Sequence, residues 1–320
     1  MKACLDCLPC LARNATELAR RSARGDATLE GRIAAEGMRI LGAAAEAGYA
    51  LPPPCYARQL IDNALAMSGG AVPDPWAEEK KTSTELALKL MARLDEIPGW
   101  ARDAVAVNCD PPVTAGGTQF IASEFEKRLR LAIAGNILDF SIYADLDIAA
   151  AMETMATAFT KPVDTAAVAE LKRQMDAARS ILWIFDTCGE AVFDRLLMEP
   201  YREKITLAVR GKPAFNDMTR AELEPSGLSH FIKCDSLVSN DDGVPGVVDA
   251  TCGDAFRAAF SRADLIVAKG QANFETMSER TDKPIAFLFL AKCPVVCREV
   301  GTQPQTIQVV LHNFERTVEK

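Results

Sequence analysis

The stretch Ile181-Leu182-Trp183-Ile184-Phe185-Asp186-Thr187-Cys188-Gly189-Glu190 decides the fold. Its first five residues are apolar without alternation, too short a run for a helix, and read as a strand buried on both faces. The run stops at an acid. Glu190 to Met198 then places Val192, Phe193, Leu196 and Leu197 at helical spacing. A buried strand, an acidic turn and a helix in succession form the unit of an α/β structure with a mainly parallel sheet.

Working outward, the same signal recurs at Ala104 to Val107, Ile205 to Val209, Ser236 to Ser239, Leu265 to Ala268, Ile285 to Leu290 and Thr306 to Val310. Helical stretches separate these runs. Ser123-Glu124-Phe125-Glu126, for example, has capping-box spacing ahead of Lys127 to Ala134. Towards the amino terminus the pattern changes. Leu11, Leu18, Ile33 and Leu41 recur among good helix formers, and breakers at Gly25-Asp26, Pro52-Pro53-Pro54, Gly69-Gly70 and Pro73-Asp74-Pro75 divide the region into short helices. Glu85 to Leu94 reads as the last of them. The expected organisation is a helical subdomain over 1–100 and an α/β domain over 101–320 with a mainly parallel sheet.

Composition narrows the function. The 320 residues carry 36 Lys plus Arg against 44 Asp plus Glu, a formal charge of -8, which argues against nucleic acid as a partner. No apolar run approaches the about 20 residues that span a bilayer, so no membrane association is expected. Asp6 interrupts any secretory core at the amino terminus, and a cytoplasmic location with reduced thiols is expected. Ten cysteines stand against two histidines, His230 and His312, which leaves little room for His-ligated zinc or a Ser-His-Asp triad. Oligomeric state is not legible.

In a parallel sheet, ligands gather at the carboxyl ends of the strands. Asp186 follows one strand directly, and Asp217 closes the loop Arg210-Gly211-Lys212-Pro213-Ala214-Phe215-Asn216-Asp217 after the next. Each has a structural alternative: Asp217 as a cap for a helix containing Thr219 and Glu222, and Asp186 as an acceptor for its own turn. Together they suit a hard divalent cation such as Mg²⁺ or Mn²⁺. Lys269 and Lys292, each at a strand end, can neutralise phosphate oxygens beside it, or can be solvated surface lysines. The loop Ser239 to Gly246 is another candidate wall.

The chain resembles the domain of unknown function 89 family, the metal-dependent damage-control phosphatases, and looks closest to its shorter prokaryotic members. The likeness is carried in order by Cys7-Leu8-Pro9-Cys10, Asp74-Pro75-Trp76 with Lys80, and Gly135-Asn136-Ile137-Leu138-Asp139-Phe140. It continues through Asp186-Thr187-Cys188-Gly189-Glu190, Asn216-Asp217-Met218-Thr219, Lys269-Gly270-Gln271-Ala272-Asn273-Phe274-Glu275 and Lys292-Cys293-Pro294. What the resemblance implies is an amino-terminal helical part, a three-layer, Rossmann-like α/β body, and a divalent metal (Mg²⁺, Mn²⁺, Co²⁺ or Ni²⁺) held by Asp186, the residue at 187 and Asp217. It further implies hydrolysis of phosphate monoesters of small metabolites, either sugar phosphates or damaged phosphorylated cofactors. Thr187 departs from the family's usual Asn, and Asn14 from its usual Gln. On this reading Asp186, Asp217 and Lys292 are catalytic, while Asn136, Asp139, Glu190, Lys269 and Lys292 contact a small phosphorylated metabolite or orient its ligands.

Two alternatives stand beside it. Cys4, Cys7 and Cys10, with Cys55 as a distant fourth, have spacing suited to a thiolate-bound metal or an iron-sulfur cluster. A non-catalytic member that binds a phosphorylated metabolite without turning it over is the other. Cys188 as a nucleophile would need His230 to approach it in space.

Overall fold

Six of the apolar runs are strands in the computed structural model, which describes residues 1–70, 72–100, 123–136, 148–233 and 236–314. They are β1 (Ile181–Ile184), β2 (Ile205–Val209), β3 (Leu237–Ser239), β4 (Leu265–Lys269), β5 (Ile285–Ala291) and β6 (Thr306–His312). The expected strand Ala104 to Val107 lies outside the described residues, as does Asp139. The sheet runs in the order β3-β2-β1-β4-β5-β6, with every pair parallel except β5 and β6. Sequence order reverses between β1 and β4. That topological switch point opens a crevice at the strands' carboxyl ends.

Alternation along each strand sends successive side chains to opposite faces, and both faces are covered. Ile181, Trp183, Leu207, Val209, Leu265, Val267 and Leu288 pack into one core. The helices on that side include α4 (Ala77–Ala92), α5 (Glu124–Ala134), α6 (Ile148–Ala156), α7 (Thr165–Ala177) and α8 (Cys188–Met198). Leu182, Ile184, Ala208, Ile266, Ala268, Phe287 and Phe289 face the other way, against α9 (Asp254–Arg262), α10 (Gln271–Met277) and α11 (Pro294–Val300). The three layers are therefore helix, sheet and helix. Ser123 caps α5 through the backbone N–H of Glu126 at 3.2 Å, as its spacing predicts.

The amino-terminal helices α1 (Leu8–Ala23), α2 (Ala27–Glu46) and α3 (Pro53–Met67) enclose a core of their own that contains Leu11, Leu18, Ile33, Leu41, Leu60 and Ile61. Asp26, at the predicted break, caps α2 by accepting from Thr28 and Leu29 at 2.9 and 3.0 Å. Helix α4 begins eight residues before the expected Glu85. Lys80, Ser83 and Thr84 occupy its buried face, so polar letters hid a stripe that an apolar pattern would have shown. The boundary expected at 100/101 falls at the edge of the described residues. No described helix is long and apolar enough to cross a membrane.

Candidate active site

At the switch point Asp186 follows β1, and the loop after β2 returns to meet it. The backbone N–H of Met218 donates to the Asp186 carbonyl at 2.8 Å, that of Cys188 donates to the Asn216 carbonyl at 3.0 Å, and Thr187 pairs with Asp217 in an antiparallel bridge. Phe215 turns the loop with φ 48, a left-handed conformation that costs a bulky residue roughly 1–3 kcal/mol and collects at functional sites. Its ring is held against Trp76, with centroids 5.2 Å apart. The third wall is Gly270, after β4, with φ +79. A Cβ there would lie 2.0 Å from the Asp186 carboxyl, so only glycine leaves that carboxylate room.

Neither acid plays the local part open to it. Thr219 and Glu222 form the capping box of the turn that follows, which frees Asp217. The Asp186 carboxyl accepts from Asn136 Nδ2 at 2.8 Å, a partner fifty residues away. Asp217 accepts from Arg210 Nε at 2.8 Å, and Arg210 is anchored in turn by the Gly246 carbonyl at 3.0 Å and by Asn273 Oδ1 at 3.4 Å. Both carboxylates are buried. Burial pushes Asp217 up to about 7 against the pull of Arg210, with the Asp186 charge adding to the rise. Asp186 is raised by burial too, opposed by Arg210, Asn136, Lys269 and Lys292.

A cavity of about 630 Å³ gathers Asp186, Thr187, Asp217, Asn136 and Lys292 on its walls. Lys292 donates to Asn136 Oδ1 at 2.7 Å, and the amide of Asn136 also donates to Glu190 at 3.2 Å. Among the described residues, the second oxygen of Asp186 and that of Asp217 have no hydrogen-bond partner. Two carboxylate oxygens, a threonine hydroxyl and access from a cavity fit a hard divalent cation. No group of three or more His, Cys, Asp or Glu side chains converges among the described residues. A cation here would rest on the acidic pair, the Thr187 hydroxyl and water.

The structure assigns Lys269 elsewhere than at a phosphate. It is wholly buried and off the cavity wall, and its ammonium spends three bonds on the Ala132 carbonyl (2.8 Å), Glu190 (2.5 Å) and Asp194 (2.7 Å). No donor is left for a ligand. Glu190 is equally buried and, among the described residues, is joined to the cavity through Asn136. The strand's own alternation held the signal, since Leu265, Val267 and Lys269 share a face, and that face meets the Glu190 and Asp194 edge of α8. Arg210 and Asn273, which fix Asp217, were missed as site residues. A basic residue directly after a strand, seven residues before the acid it holds, is the signal the sequence carries.

The cysteine alternatives find little support in this geometry. Cys4 and Cys7 lie 3.8 Å apart, a spacing two thiolates on one metal can have, but no third Cys, His, Asp or Glu converges on them among the described residues, and Cys10 is exposed beside Arg13. The Cys188 thiol is buried and directed at the Asp217 carbonyl at 3.6 Å, and burial raises it well above the usual thiol range. His230 pairs with Glu199 on the surface.

The family model of the damage-control phosphatase ARMT1-like domain matches residues 3–306. A damage-control phosphatase of Archaeoglobus fulgidus is 32% identical over 238 residues, 72% of this chain and 73% of its own length. Damage-control phosphatase PH1575 of Pyrococcus horikoshii is 35% identical over 197 residues, covering 60% of this chain and 67% of the relative. The crystal structure of that Pyrococcus horikoshii protein, described as a DUF89 family protein, superposes with a TM-score of 0.78 at 27% identity. The match covers 98% of this chain and 100% of the other.

Proposed function

This chain belongs to the damage-control phosphatase ARMT1-like family, and from that membership we propose a metal-dependent phosphatase acting on phosphate monoesters of small metabolites, sugar phosphates or damaged phosphorylated cofactors. The observation that carries the reading is the meeting of Asp186 and Asp217, from successive βα loops, in one cavity with Lys292 and Asn136. Asp186, Thr187 and Asp217 would hold the cation, which when bound neutralises and polarises phosphoryl oxygens.

The chain's own residues supply the rest. Among the described residues Lys292 gives one of its three ammonium donors to Asn136, and the other two can go to a phosphate oxygen. Asn136 orients Asp186 on one side and Lys292 on the other, which places negative and positive groups on either flank of a bound ester. Arg210 holds Asp217 in a single orientation. Beyond this floor the wall turns apolar, with Pro9, Leu11, Pro53, Phe215 and Val295, leaving a 630 Å³ space larger than phosphate needs and suited to an organic group.

Phosphate release from a sugar-phosphate panel in the presence of Mg²⁺, Mn²⁺, Co²⁺ or Ni²⁺ is expected, with Asp217→Ala abolishing it. Equal turnover by the variant would remove Asp217 from the mechanism. Thr187, where the family usually has Asn, favours one second reading. A protein that binds phosphorylated metabolites but releases no phosphate with any of the four metals would be a non-catalytic member.

A further inference from the structure

Resting on the phosphatase reading, we propose that Glu275 is a further catalytic residue, the general acid that protonates the leaving oxygen of the phosphate ester. Glu275 lies on α10, one turn after Gln271, and its side chain reaches the same cavity as Asp186 and Lys292. It is only 8% exposed. Gln271 Nε2 donates to one carboxyl oxygen at 2.8 Å, while Gln271 Oε1 accepts the backbone N–H groups of Lys292 and Cys293 at 3.2 and 3.1 Å. The loop that carries Lys292 therefore aims the Glu275 carboxyl. Its other oxygen has no partner among the described residues.

Among the described residues no three acids, Glu275 with Asp186 and Asp217 included, converge closely enough to share one cation. The groups around it are Asp186 just past β1, Cys7 ahead of α1 and the Met1 ammonium, with Lys292 on the wall of the same cavity. The Met1 ammonium is spent on the Glu275 carbonyl at 2.7 Å, on Ser278 and on Glu279. The acid thus sits between the anionic floor and the wall formed by the start of α1, where the organic part of an ester would lie. No described Lys or Arg pairs with its carboxyl. Burial pushes it up to about 7, opposed by Gln271 and the amino terminus, which keeps a proton available near neutrality.

In the step itself, an oxygen nucleophile bonds to phosphorus as the phosphorus–oxygen bond to the leaving group breaks. The Glu275 proton passes to that departing oxygen to give the alcohol. Over one turnover, water adds its hydroxyl to phosphorus and its remaining proton restores the Glu275 carboxyl.

The test compares an alkyl phosphate, whose alkoxide needs a proton, with p-nitrophenyl phosphate, whose leaving group does not. Glu275→Gln keeps the shape and is expected to lower kcat about 10²–10³-fold on the alkyl ester but under about fivefold on the aryl ester. It should also remove the alkaline decline of the alkyl profile above about pH 7, while Glu275→Asp recovers part of the rate. Equal losses on both esters, or no loss on either, would overturn the role. The wild-type chain gives a readout independent of variant folding: its rate should depend weakly on leaving-group pKa at pH 6 and steeply at pH 9, and a slope unchanged with pH also overturns it. Absence of phosphate release from either ester by the wild-type chain would sink the phosphatase reading itself, and with it this role.

Discussion

The acids around Lys269 have every carboxyl oxygen engaged, whereas those beside Arg210 leave some open, and that contrast separates two acidic clusters. Glu190 bonds Lys269 and Asn136, and Asp194 bonds Lys269 and the Trp183 indole N–H, so all four carboxyl oxygens are engaged away from the cavity. Asp186 and Asp217 have one oxygen each engaged, by Asn136 and Arg210, and both line the cavity. Charge alone does not tell the clusters apart, since both pairs of acids lie beside cations, Lys269 for one and Arg210 with Lys292 for the other. Hydrogen-bond saturation and access do. A saturated buried cluster organises the fold, while one with spare oxygens on a cavity is a place for a ligand.

The strongest way to break this distinction is to remove Lys269. Lys269→Met leaves two buried acids without their cation and should cost about 3–5 kcal/mol in a urea titration. A loss below about 1 kcal/mol would show that the triad does not hold α8 to β4. Asp217→Asn should behave oppositely. Phosphate release should fall at least about 10²-fold, as for loss of a charge-stabilising group, while the metal-free protein keeps its stability or gains some. Destabilisation as large as that of Lys269→Met would erase the contrast.

A smaller effect concerns pH. Burial raises Asp194 to about 6, Asp217 to about 7 and Glu190 to about 8, all above the value of about 4 for a carboxyl in the unfolded chain. The folded state therefore holds these protons more tightly than the unfolded state. Their contribution to stability is full below about pH 4 and is lost as pH rises through 6 to 8. Thermal melts of metal-free protein should weaken across that window, and added Mn²⁺ should raise Tm more at pH 8 than at pH 6. An increment independent of pH would mean that the ion binds away from these acids. The smallest expected effect is that of Thr187→Asn, about a tenfold gain in metal affinity by titration calorimetry. No gain would remove position 187 from the ligand set.

Much of this was legible in the residues. Continuous apolar runs such as Ile285 to Leu290 marked strands because both faces are covered, and Asp186 stood out because a strand ended on it. The residues do not reveal direction. Lys269 ends a strand just as Asp186 follows one, yet its parity turns it into the helix layer. Arg210 and Glu275 act through partners 7 and 4 positions away, and a partner's identity emerges only when loop and helix geometry are known. Where polar residues were buried, as along α4, composition concealed the very stripe that defines the element.

The backbone stitching of the two acidic loops, Met218 to Asp186 and Cys188 to Asn216, carries a kinetic consequence. Main-chain bonds hold the two loops together before anything enters, so an ion bound here would have no loop to order and would forfeit little of its binding free energy to chain entropy. The slow event on its arrival would then be the shedding of its own water. Association rates should follow the intrinsic water-exchange rate of each metal, slower for tightly hydrated Mg²⁺ than for Mn²⁺, in a site that is waiting in its final shape.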